Sequence, residues 1–440
     1  MIVERRFRSR RLLSAFVGIV FVLSMLGNPL AALAAGWSLE VTVLHLQSSV
    51  AQNAVALNPA GNEVWVTTSS LVNFHVTVQA AQRSFGGAWS SLTTVATQGP
   101  TIQGLSVALS ASNNAVATWM SGGGVEIALR SPAGVWQAPV AFAPTGGASN
   151  LVARLDAQGN GVAAWSRSTA TTSLVEAVTW TANGTFGSVI QLSPTSHAAF
   201  GSDIAVNEAG TAVVVWLASN SNPYQVESAT RPAGGSWSAV TTVSPVVPQT
   251  WGAKVALDGA GNATAVWMTA TTLDSERIYA ATRPAGGAWG SQARIEPSDW
   301  RAVSENTVNA DAAGNVTATW VVQDSMGNQS VRAASLPIGG AWGAPTTLGQ
   351  CRTVTSYCLH QVSVARDGSI AVVGWRAYGP LLINAAVRLG SGAWTPMVVG
   401  NNNPALLTSV VTASNGHAST VWQASIAVRY KVDFRQSDYQ

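Results

Sequence analysis

Short apolar runs alternate with polar and turn-forming residues along most of this chain. The clearest example is GAKVALDGAGNATAVWMTATTLDSERIYAATRPAGGAWGSQARIEP at residues 252–297. It contains four short runs that favour extended structure, and the turn signals DGAGN and RPAGG follow the first and third runs. The stretch therefore predicts four antiparallel strands joined largely by tight turns.

The same unit recurs along the chain, and two tryptophan positions mark it. The first position ends the strand after a glycine or asparagine turn, and it is occupied by Trp119, Trp165, Trp216, Trp267, Trp320, Trp375 and Trp422. The second position follows a GG or similar turn, and it is occupied by Trp89, Trp136, Trp237, Trp289, Trp342 and Trp394, with Phe186 in its place once. A period of about 50 residues with four strands per unit is typical of propeller blades. The sequence therefore predicts an all-β fold, a single β-propeller.

The two ends of the chain determine the predicted number of blades. Residues 51–97 form a degenerate first copy in which Trp65 comes two places early, and the last copy ends after its third strand. Trp37 matches the second tryptophan position, so its strand supplies the missing fourth strand. We predict eight four-stranded blades, with the ring closed by the N-terminal strand completing the C-terminal blade. The alternative is seven blades, with the first copy folded differently.

The first 35 residues have the pattern of an export signal. Five arginines precede an apolar run from about Leu12 to Leu26, and ALA at 32–34 is a small-residue cleavage site. We predict a signal peptide at 1–35, a propeller domain at 36–440 and secretion, with a membrane anchor as the alternative. The SRRLL segment also loosely matches a twin-arginine signal, so the export route stays open.

Charge and cysteine content narrow the function classes further. The chain has 23 Lys and Arg and 20 Asp and Glu, and without the signal 18 basic and 19 acidic residues remain. This balance argues against binding of nucleic acid or of an anionic membrane. Cys351 and Cys358 predict a disulfide, with two free buried thiols as the alternative. We predict no metal site and no cofactor, because only His360 stands near the cysteines.

Two further sets of polar residues recur with the repeat. Three places before the turn glycine stand Asn58, Asp156, Asn207, Asp258 and Asp311, where a short polar side chain can bond the turn backbone. Six places before the second aromatic position stand Arg83, Arg130, Arg231, Arg283 and Arg388. We interpret the first set as turn-forming residues, and the second set as blade-to-blade packing or aromatic stacking.

The variable connections predict where ligands bind. The first and third turns of each unit are short and repetitive, whereas the second turns and the links between units vary and would lie on the opposite face. On that face we expect Trp251, Trp300 with Arg301, and Tyr357 with His360 to provide aromatic and charged contacts suited to sugars. Alternatively, each aromatic side chain folds inward over its own blade.

The innermost strands predict a second group of binding residues. Their alternation directs Arg154, Asp203 and Lys254 into the central tunnel of three consecutive blades. These residues would anchor a polar or carboxylate-bearing ligand. The alternative is an ion cluster that only lines the channel.

The GNATAVW and RPAGGAW segments resemble a broad group of secreted bacterial β-propeller repeat proteins, and the resemblance covers about residues 36–435. It implies a fold and no particular activity. The chain has a more distant similarity to sialidase-like and lectin-like propellers, but the spacing between Asp258 and Trp267 is not that of the sialidase Asp box. The tryptophan motif also resembles that of eight-bladed quinone-cofactor dehydrogenases, but their adjacent cysteine pair is missing.

These observations favour a secreted binding module over an enzyme. We expect a monomer that recognises carbohydrate or another cell-surface or extracellular ligand, such as a surface protein. No GxSxG or HExxH motif occurs, and we assign no catalytic residue. One alternative is a glycan-active hydrolase or lyase that uses two of Asp203, Asp299 and Glu305. Another alternative is a protein-interaction scaffold.

Overall fold

The computed structural model describes residues 41–45, 52–70, 75–98, 101–142, 147–219, 223–270, 272, 276–297, 300–303, 306–353, 358, 360–377, 382–400, 404–413, 416, 418–424 and 427–432. Within these ranges there is no helix, and the strands form eight antiparallel sheets. The all-β prediction and the four-stranded unit are therefore confirmed. The predicted signal peptide and Trp37 lie outside the described residues.

We number the sheets along the chain and name their strands first to fourth in pairing order. Sheet 1 consists of Asn53–Leu57, Glu63–Ser70, Val76–Arg83 and Thr93–Gln98, and sheet 2 of Gln103–Leu109, Ala115–Ser121, Gly124–Arg130 and Val140–Phe142. Sheet 3 consists of Ala148–Leu155, Gly161–Ser168, Ser173–Trp180 and Ile190–Gln191, and sheet 4 of Ala198–Val206, Ala212–Ser219, Tyr224–Arg231 and Thr241–Thr242. Sheet 5 consists of Gln249–Leu257, Ala263–Ala270, Arg277–Arg283 and Ala293–Arg294. In sheet 6 the two pieces Arg301–Ala302 and Thr307–Ala310 precede Val316–Gln323, Asn328–Leu336 and Thr346–Thr353. Sheet 7 consists of His360–Val364, Ile370–Ala377, Leu382–Leu389 and Thr395–Gly400, and sheet 8 of Pro404–Thr412, Ala418–Ala424, Ala427–Val432 and Val41–His45.

The two ends of the described chain meet in sheet 8. Val41–His45 pairs antiparallel with Ala427–Val432, with Val41 opposite Tyr430. The first strands of successive sheets contact one another from sheet 1 to sheet 8, and those of sheets 8 and 1 are also in contact. The Ser419 hydroxyl lies 3.1 Å from Glu63 Oε1 across that last junction. Each sheet therefore has a neighbour on both sides.

The first tryptophan position explains why the sheets pack in this order. Trp216 is completely buried and packs against Val175 and Ala177 of the preceding sheet. Trp320 is also completely buried and packs against Ile278 of sheet 5. The other described members are buried too: Trp65, Trp119, Trp165, Trp267 and Trp375. A buried indole removes roughly 150–250 Å² of surface from water, so this large side chain recurs once per repeat.

The repeated aspartates and asparagines hold the first turns, as predicted. Asp258 Oδ1 accepts a hydrogen bond from the Asn262 backbone N–H at 2.8 Å, and its Oδ2 accepts one from Asn262 Nδ2 at 2.7 Å. The Asn262 side-chain oxygen accepts one from the Ala285 N–H of the third turn at 2.9 Å. The first and third turns thus lie together on one face, which we call the turn face. The opposite ends of the strands define the link face.

Backbone hydrogen bonds also join the first turns of neighbouring sheets. The Gly259 N–H donates to the Ala312 carbonyl at 3.1 Å, and the Ala312 N–H donates to the Arg366 carbonyl at 2.6 Å. A Cβ on Gly259 would lie 2.7 Å from the Ala312 oxygen, so a larger residue would separate these turns. The turn face is therefore held together by main-chain contacts between sheets.

Candidate functional site

The three charged residues predicted for the innermost strands do lie on their less buried side. Arg154 is exposed and Asp203 and Lys254 are partly exposed, while Ala153, Ile204 and Val255 beside them in sequence are buried. Asp203 Oδ2 accepts a hydrogen bond from the Val255 N–H at 3.0 Å, and Arg154 Nη1 donates to the Ala153 carbonyl at 2.9 Å. Arg154 and Asp203 thus bond the backbone. No ion pair joins these three described side chains, so the structure does not support the alternative of an ion cluster, and the ligand-anchoring role stays a prediction.

Two of the predicted link residues lie together where sheets 5 and 6 meet. Trp300 is 39% exposed, and the guanidinium carbon of Arg332 lies 5.5 Å from its ring centroid. Arg301 forms an ion pair with Glu276, with 2.9 Å between Nε and Oε2. The predicted combination of an accessible aromatic ring with charged groups therefore occurs there. Trp251 is 37% exposed at a separate place, in the first strand of sheet 5 opposite Met268.

The cysteine prediction is confirmed. Cys351 and Cys358 form a disulfide, and both residues are buried. His360 begins the first strand of sheet 7 opposite Trp375, at the link-face end of that strand, and it is only 7% exposed. The strand begins earlier than the loop pattern indicates, so the His360 side chain is less accessible than predicted. Tyr357 lies outside the described residues.

Three buried carboxylates have roles that were not predicted from the sequence. Glu227 Oε2 accepts a hydrogen bond from Trp216 Nε1 at 3.0 Å and lies 3.1 Å from His197 Nε2. Two other carboxylates bind both an indole N–H and an arginine: Glu176 binds Trp165 at 3.1 Å and Arg167 at 2.8 Å, and Glu296 binds Trp320 at 2.8 Å and Arg332 at 2.8 Å. A glutamate directly opposite the tryptophan on the next strand was the available signal for Glu176 and Glu227. Because their oxygens are engaged inside the protein, we assign these carboxylates to the packing of the sheets.

The repeated arginines fall into two groups. Arg83 lies 5.2 Å from the Trp89 ring centroid, Arg388 lies 4.9 Å from the Trp394 ring centroid, and Arg130 Nε donates to Gln82 of the preceding sheet at 2.6 Å. The packing interpretation is confirmed for these three. For Arg231 and Arg283 the structure gives the guanidinium groups no hydrogen-bond, ion-pair or aromatic partner among the described residues, so the stacking interpretation is not supported there.

Arg231 lines a cleft of about 490 Å³ between sheets 3 and 4, on the turn face. Phe186 is partly exposed and lies against Trp180, which is only 3% exposed, with 5.7 Å between their ring centroids. The indole of Trp180 packs directly on Gly161, where a Cβ would come within 2.0 Å of the ring. Polar groups line the rest of the cleft, among them Asp156, Gln158, Asn160, Thr179, Thr181 and Thr185. The cleft therefore combines apolar surface with several hydrogen-bonding groups.

A departure from the repeat is the sequence signal for this cleft. In sheet 3 alone, Trp180 replaces the repeated arginine and Phe186 replaces the second tryptophan. This exchange places two aromatic rings where sheets 1, 2, 4, 5 and 7 have an arginine and an indole. The predicted ligand contacts lie on the link face, whereas this cleft opens on the turn face.

Comparison with solved structures supports the propeller-like fold. The BP39L lectin from Burkholderia pseudomallei superimposes with a TM-score of 0.54 at 13% identity, covering 80% of this chain and 100% of that chain. The fucose-specific lectin from Aleuria aurantia gives a TM-score of 0.38 at 15% identity, covering 68% of this chain and 96% of that chain. The β-propeller domain of the Trilobed protease from Pyrococcus furiosus gives a TM-score of 0.48 at 8% identity, covering 81% of this chain and 99% of that chain. No protein-family model and no curated protein matches the sequence. At these identities the similarity supports the fold alone.

Proposed function

We propose that this protein is a secreted carbohydrate-binding β-propeller whose eight sheets are the blades of one closed ring. The pairing of Val41–His45 with Ala427–Val432 and the contact between sheets 8 and 1 support the ring. In a closed ring every sheet would lie between two other sheets, and this closure protects strand edges from unwanted pairing. The disulfide supports secretion, because such bonds persist in oxidising compartments.

The cleft between sheets 3 and 4 is the observation that carries the proposed function. Its volume of about 490 Å³ lies within the range of small-molecule sites, about 300–1,000 Å³. Sugars have both apolar faces and hydroxyl edges, so they suit an aromatic wall next to hydrogen-bonding groups. Phe186, which packs on the buried Trp180, would contact the sugar ring, and Gln158 and Thr179 would bond its hydroxyls. The Burkholderia protein of similar fold is a lectin, which agrees with this proposal.

We propose the link face as a second contact surface. Trp251 and Trp300 are accessible there, and Arg301 and Arg332 place cations near Trp300. Asp203 and Lys254 would contribute from the middle of the innermost strands, whereas Arg154 would contribute nearer the turn face, because it precedes the first turn of sheet 3 by one residue. The hydrolase alternative receives no support from the described residues, because Asp203 bonds the Val255 N–H and its two partner candidates, Asp299 and Glu305, lie outside them.

A glycan array with the intact secreted protein tests the function. Phe186→Leu removes the aromatic face from the cleft but keeps an apolar side chain, and we expect it to reduce glycan binding at least tenfold. Phe142→Leu is the matched control, because Phe142 lies 5.4 Å from Phe186 but does not line the cleft. Circular dichroism of both variants checks that they fold.

The outcomes separate the hypotheses. Loss of binding in Phe186→Leu but not in Phe142→Leu supports the cleft. If Trp300→Ala loses glycan binding and Phe186→Leu keeps it, the binding site is on the link face. If the wild-type protein binds no glycan on the array, the carbohydrate proposal is wrong and a protein-interaction scaffold becomes the better hypothesis.

A further inference from the structure

The lack of a partner for Arg231 has a specific cause in the neighbouring sheet. At the equivalent position, Arg388 donates to Thr317 Oγ1 at 2.8 Å and also bonds the hydroxyl of Ser335. Thr317 and Ser335 are directly opposite each other in sheet 6. The matching pair in sheet 3 is Val162 and Thr179, and both line the cleft. Valine offers no hydrogen-bond acceptor, and no hydrogen bond joins Thr179 to Arg231.

The comparison with Arg130 leads to the same conclusion. Its partner Gln82 occupies the position in sheet 1 that Thr179 occupies in sheet 3, and Gln82 Oε1 accepts from Arg130 Nε at 2.6 Å. Threonine is shorter than glutamine by one methylene and a carboxamide. The guanidinium of Arg231 is therefore left with its donors available to the cleft.

The one carboxylate among the lining residues does not neutralise Arg231 directly. Asp156 is buried, and its Oδ1 accepts hydrogen bonds from the N–H groups of Gln158 and Asn160 at 2.9 and 2.8 Å. Its Oδ2 accepts one from Asn160 Nδ2 at 2.7 Å. Asp156 makes no ion pair with Arg231 in the described structure. The accessible charge of the cleft is thus the guanidinium.

We propose that the ligand of this cleft is an acidic sugar, whose carboxylate binds the guanidinium of Arg231. This rests on the proposed carbohydrate-binding function and names the class of sugar. A guanidinium presents parallel N–H donors that match the two oxygens of a carboxylate, and such charge-assisted bonds are among the strongest in proteins. The sugar ring would lie against Phe186 while its carboxylate faces Arg231.

Arg283 provides a control within the same chain. It occupies the equivalent position in sheet 5 and also lacks a partner among the described residues, but it does not line the cleft. Burial lowers its pKa. A site that depended only on a free guanidinium would involve Arg231 and Arg283 alike, whereas a site formed by the cleft involves Arg231 alone.

Calorimetric titration with sodium D-glucuronate and with D-glucose tests the inference. At low ionic strength we expect the wild-type protein to bind glucuronate at least tenfold more tightly than glucose, because glucose lacks the carboxylate. Arg231→Gln should reduce glucuronate affinity about tenfold or more and leave glucose affinity unchanged. Arg283→Gln should leave both affinities unchanged.

A second variant keeps Arg231 and blocks its donors. Thr179→Gln introduces the acceptor that Gln82 supplies to Arg130, so it should also reduce glucuronate affinity while the charge of the protein is unchanged. Equal affinity for glucuronate and glucose, no glucuronate binding, or full glucuronate binding by Arg231→Gln would each overturn the acidic-sugar inference. Binding of neutral glycans on the array would then still support the carbohydrate function, whereas an array without any binding contradicts both proposals.

Discussion

The carboxylate of Glu208 in sheet 4 lies 3.3 Å from the guanidinium Nε of Arg366 in sheet 7, although two sheets separate them. Both residues occupy the same position in the first turn of their sheets. The equivalent residues of sheets 5 and 6 are Gly259 and Ala312, which are too small to stand between the two long side chains. The ion pair therefore joins sheets that are not neighbours, on the turn face.

We expect this ion pair to contribute little to stability. The Glu208 and Arg366 side chains are 44% and 37% exposed, and exposed pairs typically contribute about 0.2–1 kcal/mol. A double-mutant cycle with Glu208→Gln and Arg366→Gln, measured by urea unfolding, should give a coupling energy of about 0.5 kcal/mol. Glu208→Gln combined with Lys254→Gln should be additive, since no ion pair joins those residues. Additivity in the first cycle would show that the pair does not form in solution.

A buried ion pair should behave differently. Glu296 is completely buried, forms an ion pair with Arg332 at 2.8 Å and accepts from Trp320 Nε1 at 2.8 Å. Glu296→Ala leaves a buried cation and an indole N–H without this acceptor, so we expect a loss of about 3–5 kcal/mol in the free energy of unfolding. The measurement is chemical denaturation at neutral pH.

Glu276→Ala is the matched comparison for Glu296→Ala. The partner of Glu276 is Arg301, whose side chain is 43% exposed and can be hydrated when the carboxylate is removed. We expect a loss of about 1 kcal/mol or less. Equal losses in the two variants would mean that the burial of the cation does not determine the effect.

The sequence was sufficient to predict features that repeat in every unit. The strand order and the turn aspartates depend on local alternation and turn chemistry, and Asp258 and Asp311 behave as predicted. The buried tryptophans followed from the same repetition. Such features are encoded within one repeat of about 50 residues, so the sequence of one repeat predicts the structure of the others.

The cleft could not be predicted because it depends on contacts between two different units. Arg231 has the same local sequence as Arg283, and both face a Val/Thr pair in the preceding sheet. The importance of Arg231 arises from the cleft that sheet 3 forms beside it with Trp180 and Phe186. The burial of His360 was not predicted because the start of a strand cannot be fixed within a few residues from an irregular loop. Positions where one unit departs from the repeat, such as Trp180 and Phe186, were the available signal.

The disulfide should stabilise the fold by restricting the unfolded chain. Cys351 and Cys358 enclose a short loop, and the loop-entropy relation for about eight residues gives about 2.5 kcal/mol. We expect Cys351→Ser with Cys358→Ser to lose about that much stability, measured by thermal unfolding. Treatment of the wild-type protein with a reducing agent should lower its melting temperature similarly and leave the double variant unchanged. If reduction does not affect the wild type, the bond does not contribute in solution.

Glu126 and Glu176 occupy the same position, opposite the buried tryptophan of sheets 2 and 3, but they differ in their partners. Glu176 binds Trp165 Nε1 and Arg167. Glu126 has no hydrogen bond or ion pair to any described residue, and burial raises its pKa above the ordinary value of 4.5. The folded state therefore holds the proton of Glu126 more tightly than the unfolded state does. Its contribution to stability is present below pH 4.5 and is lost as the pH rises through the raised folded pKa.

We therefore expect Glu126→Gln to stabilise the protein at pH 7 relative to the wild type, because a neutral amide has no charge to desolvate. This gain should shrink as the pH falls toward 4, where the wild-type carboxyl becomes protonated. Glu176→Gln should have the opposite effect at pH 7, a loss of about 1–3 kcal/mol, because it removes the charge that pairs with the mostly buried Arg167. Thermal unfolding of both variants at pH 4 and pH 7 measures the two effects. A gain for Glu126→Gln that is the same at both pH values would show that titration of Glu126 is not its cause.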